Sequence, residues 1–335
     1  MGEVNKRSAD AAAPEKGCVG GASAGKTSGD GAALFAQTVK TARAAIDARL
    51  DTLFHEAREP ARLTCAIRHG LLSPGKRLRP LITVLAGRQF GAPIERTLDA
   101  ACAVEMVHAA SLIMDDLPAM DNARMRRGAV ATHVVFGEGT GMLATIGLMN
   151  EAFRIIAETP GAEADRRLRA LSHLTAAIGP DGLAGGQEKD IMCGGPAAGD
   201  HTIAEMEHRH QQKTGSLFSA AAAMGAELAN ADEAGVAAMI DYGSALGLAY
   251  QAFDDVMDAS ASESDIGKDV KQDEGKSTVV TILGEDGASA AGHRWIERAV
   301  NIAEAAGADN AESREDAPLA LFAKAVASKF KDSRA

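Results

Sequence analysis

Aromatic and basic residues are both scarce in this chain. Only 4% of its 335 residues are aromatic, and Trp295 is the single tryptophan. Lys and Arg number 35 against 46 Asp and Glu, which gives a formal net charge of −11 at pH 7. An acidic chain argues against a nucleic-acid partner, because neutralising a phosphate backbone needs a basic surface.

Long apolar runs and paired cysteines are also missing. No apolar run approaches the length of a membrane span, and the N-terminus lacks the apolar core of a secretory signal. Wide spacing excludes a zinc or CxxC pattern for the four cysteines and fits reduced, core thiols: Cys18, Cys65, Cys102 and Cys193. We therefore expect a cytoplasmic protein with no membrane span.

Residues 1–33 differ in composition from the rest of the chain. They are rich in Ala, Gly, Ser and Lys, and such a segment cannot offset its ordering entropy, which predicts a disordered tail. Residues 20–27 match the P-loop pattern G-x-x-x-x-G-K-[ST]. That loop needs a buried strand before it and a helix after it, and no strand precedes it here. We interpret the match as coincidence.

From residue 34 onward, the spacing of apolar residues is helical. Apolar residues recur at intervals of three and four, no run alternates as a strand would, and Gly- and Pro-rich turns separate the segments. The sequence therefore predicts one all-α domain over 34–335, a single large helical bundle with a central cavity. The clearest helical segments are 40–58, 94–116, 141–158, 203–229 and 233–257.

Two aspartate clusters are the most informative feature that is present. They comprise Asp115, Asp116 and Asp121 in one, and Asp254, Asp255 and Asp258 in the other. Carboxylates this close repel one another unless a cation lies between them, and oxygen-only ligands select Mg²⁺ over zinc. Since Mg²⁺ is usually shared between carboxylates and substrate phosphates, the clusters indicate a diphosphate-handling site.

Helical geometry places other polar groups beside these clusters. His108 precedes Asp115 by seven residues and so shares its face of the helix, and Gln251 relates to the second cluster in the same way. Pro118 cannot continue a regular helix, so Asp121 is carried round a break and can face back toward Asp115. The carboxylates are expected to line the bundle cavity.

Basic residues complete the predicted phosphate site. Lys76 and Arg79 are expected one helical turn apart, just before Pro80. Other basic residues follow the clusters or lie between them: Arg124, Arg126, Arg127, Lys213, Lys268 and Lys276. Their joint placement suits binding of a diphosphate.

These motifs resemble the trans-isoprenyl diphosphate synthases, or polyprenyl synthetases, over roughly residues 40–330. The matching stretches, in family order, are GKRLRP at 75, EMVHAASLIMDDLPAMDNARMRRG at 105, GGQEKD at 185, KTG at 213, YQAFDDVMD at 250, GKD at 267 and GKST at 275. The resemblance implies an all-α isoprenoid synthase fold, a homodimer, and Mg²⁺-dependent head-to-tail joining of isopentenyl diphosphate to an allylic diphosphate. It is nearest to bacterial geranylgeranyl diphosphate synthases that supply carotenoid pathways.

The resemblance also implies a role for each matching residue. The implied metal ligands are Asp115, Asp121, Asp254 and Asp258, supported by Asp116 and Asp255. The implied grip on isopentenyl diphosphate comes from Lys76, Arg79, His108 and Arg127. The implied allylic diphosphate contacts are Arg126, Lys268 and Lys276, with Lys213, Thr214 and Gln251 also near the developing allylic cation.

Two other classes of protein stay open at this point. A class I terpene cyclase would share the fold, but the scarcity of aromatics and the second DDxxD argue against it. A catalytically silent partner subunit typically loses one aspartate cluster, and both are intact. Asn122 departs from the family pattern, where relatives often carry Asp, and this puts only an outer contact in doubt.

Small residues before the first cluster bear on product length. Ala110 stands five residues before Asp115, where farnesyl-making relatives commonly carry an aromatic, and Ala109 and Ser111 are small too. If the growing chain runs down the cavity from the cluster, these residues form its floor. A deep pocket favours geranylgeranyl diphosphate, with farnesyl diphosphate as the alternative.

Overall fold

A computed structural model of the protein describes residues 28–55, 58–193, 202–260, 278–306 and 317–332. Its N-terminal part forms seven α-helices and a short hairpin. In chain order these are α1 (Ser28–Leu53), α2 (Ala61–Leu71), α3 (Leu78–Gln89), α4 (Ile94–Asp115), the strands β1 (Met125–Arg126) and β2 (Ala129–Val130), α5 (Thr132–Phe136), α6 (Glu138–Ala157) and α7 (Ala164–Ile178).

The remaining described residues are also helical. They form α8 (Leu183–Cys193), α9 (Ile203–His210), a π-helical turn (Gln211–Gly215, the π segment), α10 (Ser216–Leu228), α11 (Glu233–Ser260), α12 (Val279–Ala306) and α13 (Pro318–Asp332). Helix α12 is interrupted at Gly284, whose φ of 71° is not helical. The all-α bundle expected from the sequence is confirmed.

Several element boundaries differ from those expected. Helix α1 begins at Ser28, so residues 28–33 of the expected tail are helical, while residues 1–27 lie outside the described part of the chain. The segment expected over 203–229 is divided by the π segment. The two-residue strands β1 and β2 were not expected, because strands so short carry no alternation.

Helix α4 is the central element of the bundle. It packs against α1, α2, α3, α6, α7 and α10, and Ala100, Ala101, Ala103 and Ala110 on it are among its buried side chains. Among the described helices, only α4 is long and apolar enough to cross a membrane by length and hydropathy alone. Most of its apolar stretch is nevertheless buried inside the bundle. Burial in a protein core accounts for its composition, since an all-apolar helix belongs in a core or a membrane.

Small side chains also let α10 and α11 approach closely. Helix α10 carries four consecutive buried alanines, Ala220–Ala223, and packs on α3, α4, α7 and α11. Helix α13 closes the bundle at one end, where the Oη of Tyr242 on α11 donates a 2.9 Å hydrogen bond to the carbonyl of Leu319. Helices α4 and α11, which carry the aspartates, are thus both packed against α10.

Candidate functional site

The first aspartate cluster lies where α4 ends and the chain reverses. Beyond Asp115 the chain turns at Pro118, and the Asp121 amide donates a 2.8 Å hydrogen bond to the Asp115 carbonyl. Burial raises the pKa of the half-buried Asp115 carboxyl to about 6, and Asp121 adds to this, whereas Lys213 and Arg126 oppose it. A carboxyl in these surroundings gains from a nearby cation.

Asp116 points away from that reversal and into an ion pair. Its Oδ1 lies 2.5 Å from Nη2 and 2.7 Å from Nε of Arg126, and both side chains are largely buried. Burial raises the pKa of Asp116, although Arg126 opposes the shift. Arg126 also approaches the Asp121 carboxylate, at 3.9 Å. The arginine expected at an allylic diphosphate therefore also bridges two aspartates of the cluster.

The β1–β2 hairpin returns the next arginine to α4. Its two turn residues, Arg127 and Gly128, have φ of 54° and 77°, as a two-residue type I′ turn requires. This turn brings Nη2 of Arg127 to 3.1 Å from Nε2 of His108. Two residues that stand nineteen positions apart in one motif are thus in contact.

A compact basic group forms around His108. Nη1 of Arg79 lies 3.3 Å from the same Nε2, so two guanidinium groups donate to one imidazole nitrogen. Burial, with Arg79 and Arg127 adding to it, lowers the pKa of His108 well below its usual range, which makes the imidazole a neutral acceptor. Burial also lowers the pKa of Arg79 and of Arg127. The group carries two positive charges and suits an anion.

The buried Nε of Arg79 finds no hydrogen-bond acceptor among the described residues. Its guanidinium also stacks over the Phe218 ring, 4.6 Å from the centroid. Unpaired buried donors are rare in folded proteins, and a ligand oxygen would satisfy this one. Arg79 of the GKRLRP stretch is therefore held in place by His108 and Phe218, while its Nε–H has no acceptor among the described residues.

Lys76 and Arg79 are not one helical turn apart, as the sequence had suggested. Helix α3 begins only at Leu78, and Arg77 before it adopts a left-handed conformation with φ 50°. Lys76 is therefore exposed in the preceding loop, with its Nζ 5.9 Å from the Phe330 ring centroid. The physical reason is that Pro80 fits best in a first helical turn, where its missing N–H costs nothing.

Arg77, which the sequence did not single out, is an internal support of this region. Its Nη1 lies 2.6 Å from Oε1 of Glu105, and its Nε lies 2.9 Å from Oδ1 of Asp47. Burial alone would lower the pKa of Arg77, but Glu105 and Asp47 raise it. These ion pairs tie the start of α3 to α1 and α4. Because the two acids neutralise the charge of Arg77, it adds no net charge to the site.

The second cluster lies within α11 and faces the π segment. Thr214 Oγ1 donates a 3.1 Å hydrogen bond to Gln251 Oε1, and the Gln251 amide donates at 2.9 Å to Asp255 Oδ1. Asp255 Oδ2 accepts the Val279 amide at 2.8 Å, so this aspartate caps the start of α12. Asp254 is half-buried and Asp258, one turn later, is exposed.

Lys213 on the π segment lies between α8 and the first cluster. Its Nζ lies 2.5 Å from Oδ2 of Asp190 on α8, and its charge lowers the pKa of Asp115 on α4. Asp254 in turn raises the pKa of Arg79, which burial lowers overall. Together with the Arg79–His108 and Thr214–Gln251 contacts, these charge interactions bring α3, α4, α11 and the π segment to one region, which we call the cleft.

The donor chemistry of the cleft fits Mg²⁺. No three Asp, Glu, His or Cys side chains in the described ranges lie close enough to hold a metal ion by themselves. Mg²⁺ is normally held by one or two carboxylates together with substrate phosphates and water, so a divided carboxylate set beside an anion site is the arrangement it uses. The aspartates of the two clusters would supply oxygen ligands only.

Both residues expected to limit product length are buried in α4. Ala110 is fully buried, and Ser111 is 8% exposed, with its Oγ donating a 2.9 Å hydrogen bond to the His108 carbonyl. At 3.6 residues per turn, Ser111 lies within roughly 40° of the Asp115 direction and Ala110 roughly 140° from it. The two side chains therefore lie on different sides of α4, with Ser111 nearer the direction of Asp115.

Three predicted features lie outside the described residues: Lys268, Lys276 and the P-loop match at 20–27. The structure adds three residues that the sequence did not assign. Asp190 pairs with Lys213. Its motif, GGQEKD, was identified in the sequence, but no role was assigned to Asp190. Tyr250 and Phe330, with ring centroids 5.9 Å apart, border the basic group, and no spacing rule would have found them.

Comparison with known proteins identifies relatives of this chain. A solved FPP/GFPP synthase from Zymomonas mobilis superposes with a TM-score of 0.77 at 27% identity, covering 88% of this chain and 99% of that one. The geranylgeranyl diphosphate synthase of Pantoea ananas is 42% identical over 241 residues, 71% of this chain and 78% of the relative. Its counterpart in Pseudescherichia vulneris is 39% identical over 256 residues, 75% and 80% of the two chains.

The fold is thus the all-α fold of isoprenyl diphosphate synthases. The family model described as polyprenyl synthetase matches residues 60–313. The chain belongs to the polyprenyl synthetase family, as its motifs had indicated. Family membership favours the prenyltransferase over the cyclase, and the relatives named geranylgeranyl diphosphate synthase favour it over the silent subunit.

Proposed function

We propose that this protein joins isopentenyl diphosphate head to tail to allylic diphosphates and releases geranylgeranyl diphosphate. The observation that carries the proposal is the basic group of Arg79, His108 and Arg127, with the unsatisfied Nε of Arg79, centred on His108 about two helical turns before Asp115 on α4. Two anion-binding regions in one cleft suit two diphosphate substrates. The geranylgeranyl synthases among the relatives support this product.

In the proposed mechanism, isopentenyl diphosphate is gripped by the basic group and by the Lys76 ammonium. The neutral His108 keeps both guanidinium groups oriented by accepting from them, which leaves their other N–H groups for phosphate oxygens. Bidentate contacts of this kind fix the orientation of the substrate as well as binding it. The isopentenyl double bond is thereby held at one place in the cleft.

The allylic diphosphate occupies the aspartate side of the cleft. Bound Mg²⁺, held by Asp115, Asp121, Asp254 and Asp258, would offset the charge that develops on the departing diphosphate. Arg126 and Lys213 add fixed positive charge there, and we assign Lys268 and Lys276 to the same task. Preorganised charge aimed at a leaving group is usually the largest single contribution to catalysis.

The reacting carbon lies near Thr214 and Gln251. When the allylic C–O bond breaks, the electron pair leaves with the diphosphate, and the hydroxyl and amide oxygens of these two residues face the resulting cation. The isopentenyl double bond then forms the new C–C bond, and a proton is lost to the released diphosphate. The hydrogen bond between Thr214 and Gln251 holds both oxygens in place for this step.

Product length is set, in this proposal, by the small residues of α4. Ala110 and Ser111 are small and buried, and we assign to them the floor of the cavity that takes a chain longer than fifteen carbons, since a close-packed interior cannot absorb a larger side chain there. Farnesyl diphosphate is the alternative product.

We also propose a cytoplasmic homodimer that pairs through α5 and α6. The exposed large apolar side chains of these two helices are Val134, Val135, Met142, Leu143 and Ile146. Contiguous exposed apolar surface marks an interaction site, and a symmetric dimer lets one such patch cover itself. Measuring the mass of the protein by light scattering tests this part.

One assay tests the function as a whole. Purified protein is incubated with Mg²⁺, isopentenyl diphosphate and dimethylallyl, geranyl or farnesyl diphosphate, and the products are sized by chromatography. We expect twenty-carbon product from each primer. Product that stops at fifteen carbons would overturn the chain-length proposal, and no condensation with any primer would overturn the function.

A further inference from the structure

Two glycines that have no part in the mechanism press on the π segment from opposite helices. A Cβ built on Gly186 of α8 would lie 2.8 Å from the Lys213 Cα and closer still to its backbone nitrogen. A Cβ built on Gly247 of α11 would lie 2.7 Å from the Gly215 Cα. Real Cβ atoms essentially never come within 3.0 Å of such neighbours, so only glycine permits both contacts.

Each glycine is followed, one helical turn later, by a side chain that holds the same segment. Gly186 precedes Asp190, which pairs with Lys213, and Gly247 precedes Gln251, which accepts from Thr214. Residues four apart share one face of a helix. Helices α8 and α11 therefore each grip the π segment twice, once through bare backbone and once through a polar side chain.

The held segment needs this support because its geometry is unusual. A π-helical turn accommodates an extra residue within a helix, is rare, and is found mostly at functional sites. Here it carries the two side chains assigned to the reacting centre, Lys213 and Thr214. A shift of the backbone by one Cβ radius would move the Nζ and Oγ1 of these residues relative to both substrates.

We propose that Gly186 and Gly247 are positioning residues, which set the depth of the π segment and so place Lys213 and Thr214 at the reacting centre. The inference rests on the proposed roles of those two residues. It gives the GGQEKD motif a purpose: its second glycine and its aspartate fix the backbone and the side chain of Lys213.

A glycine elsewhere provides a matched control for simple loss of packing. A Cβ on Gly225 would lie 2.8 Å from the Ala86 Cβ and closer to the Thr83 carbonyl oxygen, where α10 meets α3. Gly225 lies about 15 Å along α10 from the π segment, at 1.5 Å per residue. Gly225→Ala should therefore destabilise the bundle at least as much as Gly247→Ala, without moving Lys213.

The experiment compares Gly247→Ala, Gly186→Ala and Gly225→Ala in the whole protein, at a temperature where each is folded by circular dichroism. We expect Gly247→Ala to lower kcat by about 10- to 100-fold, since a displacement of about 1 Å has that effect, with KM for isopentenyl diphosphate nearly unchanged. Gly186→Ala should lower kcat at least as far. Gly225→Ala should lower Tm but keep near-normal kcat.

Several results would overturn the inference. One is a Gly247→Ala enzyme with wild-type kcat, and another is a Gly225→Ala enzyme that loses as much kcat as the other two. If the alanine variants of Gly186 and Gly247 do not fold, Asp190→Ala decides. A kcat loss equal to that of Lys213→Ala would show that the ion pair alone positions Lys213, whereas a loss at least tenfold smaller supports the backbone contact. Inactive wild-type protein would instead count against the proposed function itself.

Discussion

The two aspartate clusters look alike in sequence but are built differently. The first lies where α4 ends, and a chain reversal at Pro118 brings Asp121 back beside Asp115. The second lies inside the continuous helix α11, where Asp254 and Asp258 follow one another by a single turn. The first cluster thus combines a helix end with the turn that follows it, whereas the second lies on one continuous helix, and both present carboxylates to the same cleft.

The inner aspartate of each cluster shows what this difference means. Asp116 forms an ion pair with Arg126 of the hairpin, whereas Asp255 caps α12 through the Val279 amide. In both clusters, one carboxylate is turned from the cleft to hold a neighbouring element. The first cluster is braced by charge and the second by a backbone hydrogen bond, so the two should respond differently to substitution.

The largest expected effect is the loss of an outer aspartate. Asp115→Ala or Asp254→Ala should leave a folded helical protein whose condensation rate is lower by roughly 10² to 10⁴, because each removes a ligand of the metal that offsets charge on the leaving diphosphate. Steady-state assays with farnesyl diphosphate and isopentenyl diphosphate measure the loss, and circular dichroism checks the fold. Excess chelator should abolish turnover of the unchanged enzyme.

That prediction treats the two clusters as equal partners in metal binding. Wild-type turnover by either variant, or turnover of the unchanged enzyme in excess chelator, would sink the magnesium mechanism. A large loss in only one variant would show that metal binding depends on one cluster, so that the two clusters are not equivalent.

The inner aspartates should differ in stability rather than in rate. Asp116→Asn leaves the largely buried charge of Arg126 with only the more distant Asp121 carboxylate and should lower the free energy of unfolding by about 3 kcal/mol. Asp255→Asn keeps an oxygen for the Val279 amide and should cost about 1 kcal/mol. Urea denaturation of both variants measures the two values, and an equal or reversed order would contradict the bracing described above.

The all-α fold could be predicted because helical periodicity is a local property of the sequence, and the family could be predicted because its motifs are short and specific. Helical periodicity identifies α4 and α11, and Pro118 predicts the break that returns Asp121. The π segment was missed because apolar spacing continues through 203–229 with no sign of an extra residue. A π-helical turn is decided by tertiary contacts, here with Gly186 and Gly247.

The finer contacts of the site could not be predicted for a similar reason. Nothing in GKRLRP distinguishes the internal ion pair of Arg77 from the exposed ammonium of Lys76, although Pro80 does indicate where the helix starts. The cap that Asp255 provides for α12 joins residues 24 positions apart. Pairings of this kind depend on how helices pack, and one sequence contains no measure of that.

A smaller effect on rate, but a qualitative effect on product, is expected beneath the first cluster. Ala110→Tyr adds a ring to a fully buried position of α4, and because a close-packed interior cannot absorb it, the cavity should shorten. The main product should shift from geranylgeranyl to farnesyl diphosphate, with isopentenyl incorporation reduced far less than in the Asp variants. Chromatography of the products measures the shift.

Ala249 offers the matching position for the second cluster. It also stands five residues before its aspartate, Asp254, and is fully buried. Ala249→Tyr should lower Tm without shortening the product, since we place the growing chain along α4 rather than α11. If the Ala110→Tyr enzyme still makes mainly geranylgeranyl diphosphate, Ala110 does not lie at the cavity floor. The reason for preferring the longer product would then be lost.

The smallest effect is expected from the third phosphate-type motif, the P-loop match at residues 20–27, which lies outside the described part of the chain. Both aspartate clusters are carried by packed helices, α4 and α11, whereas this match has only its glycines and Lys26. A segment so poor in large apolar side chains contributes little packing. Deleting residues 1–27 should therefore leave kcat and Tm nearly unchanged, and calorimetry should detect no binding of ATP. Nucleotide binding that is lost in Lys26→Ala would prove this interpretation wrong and give the chain a second phosphate site.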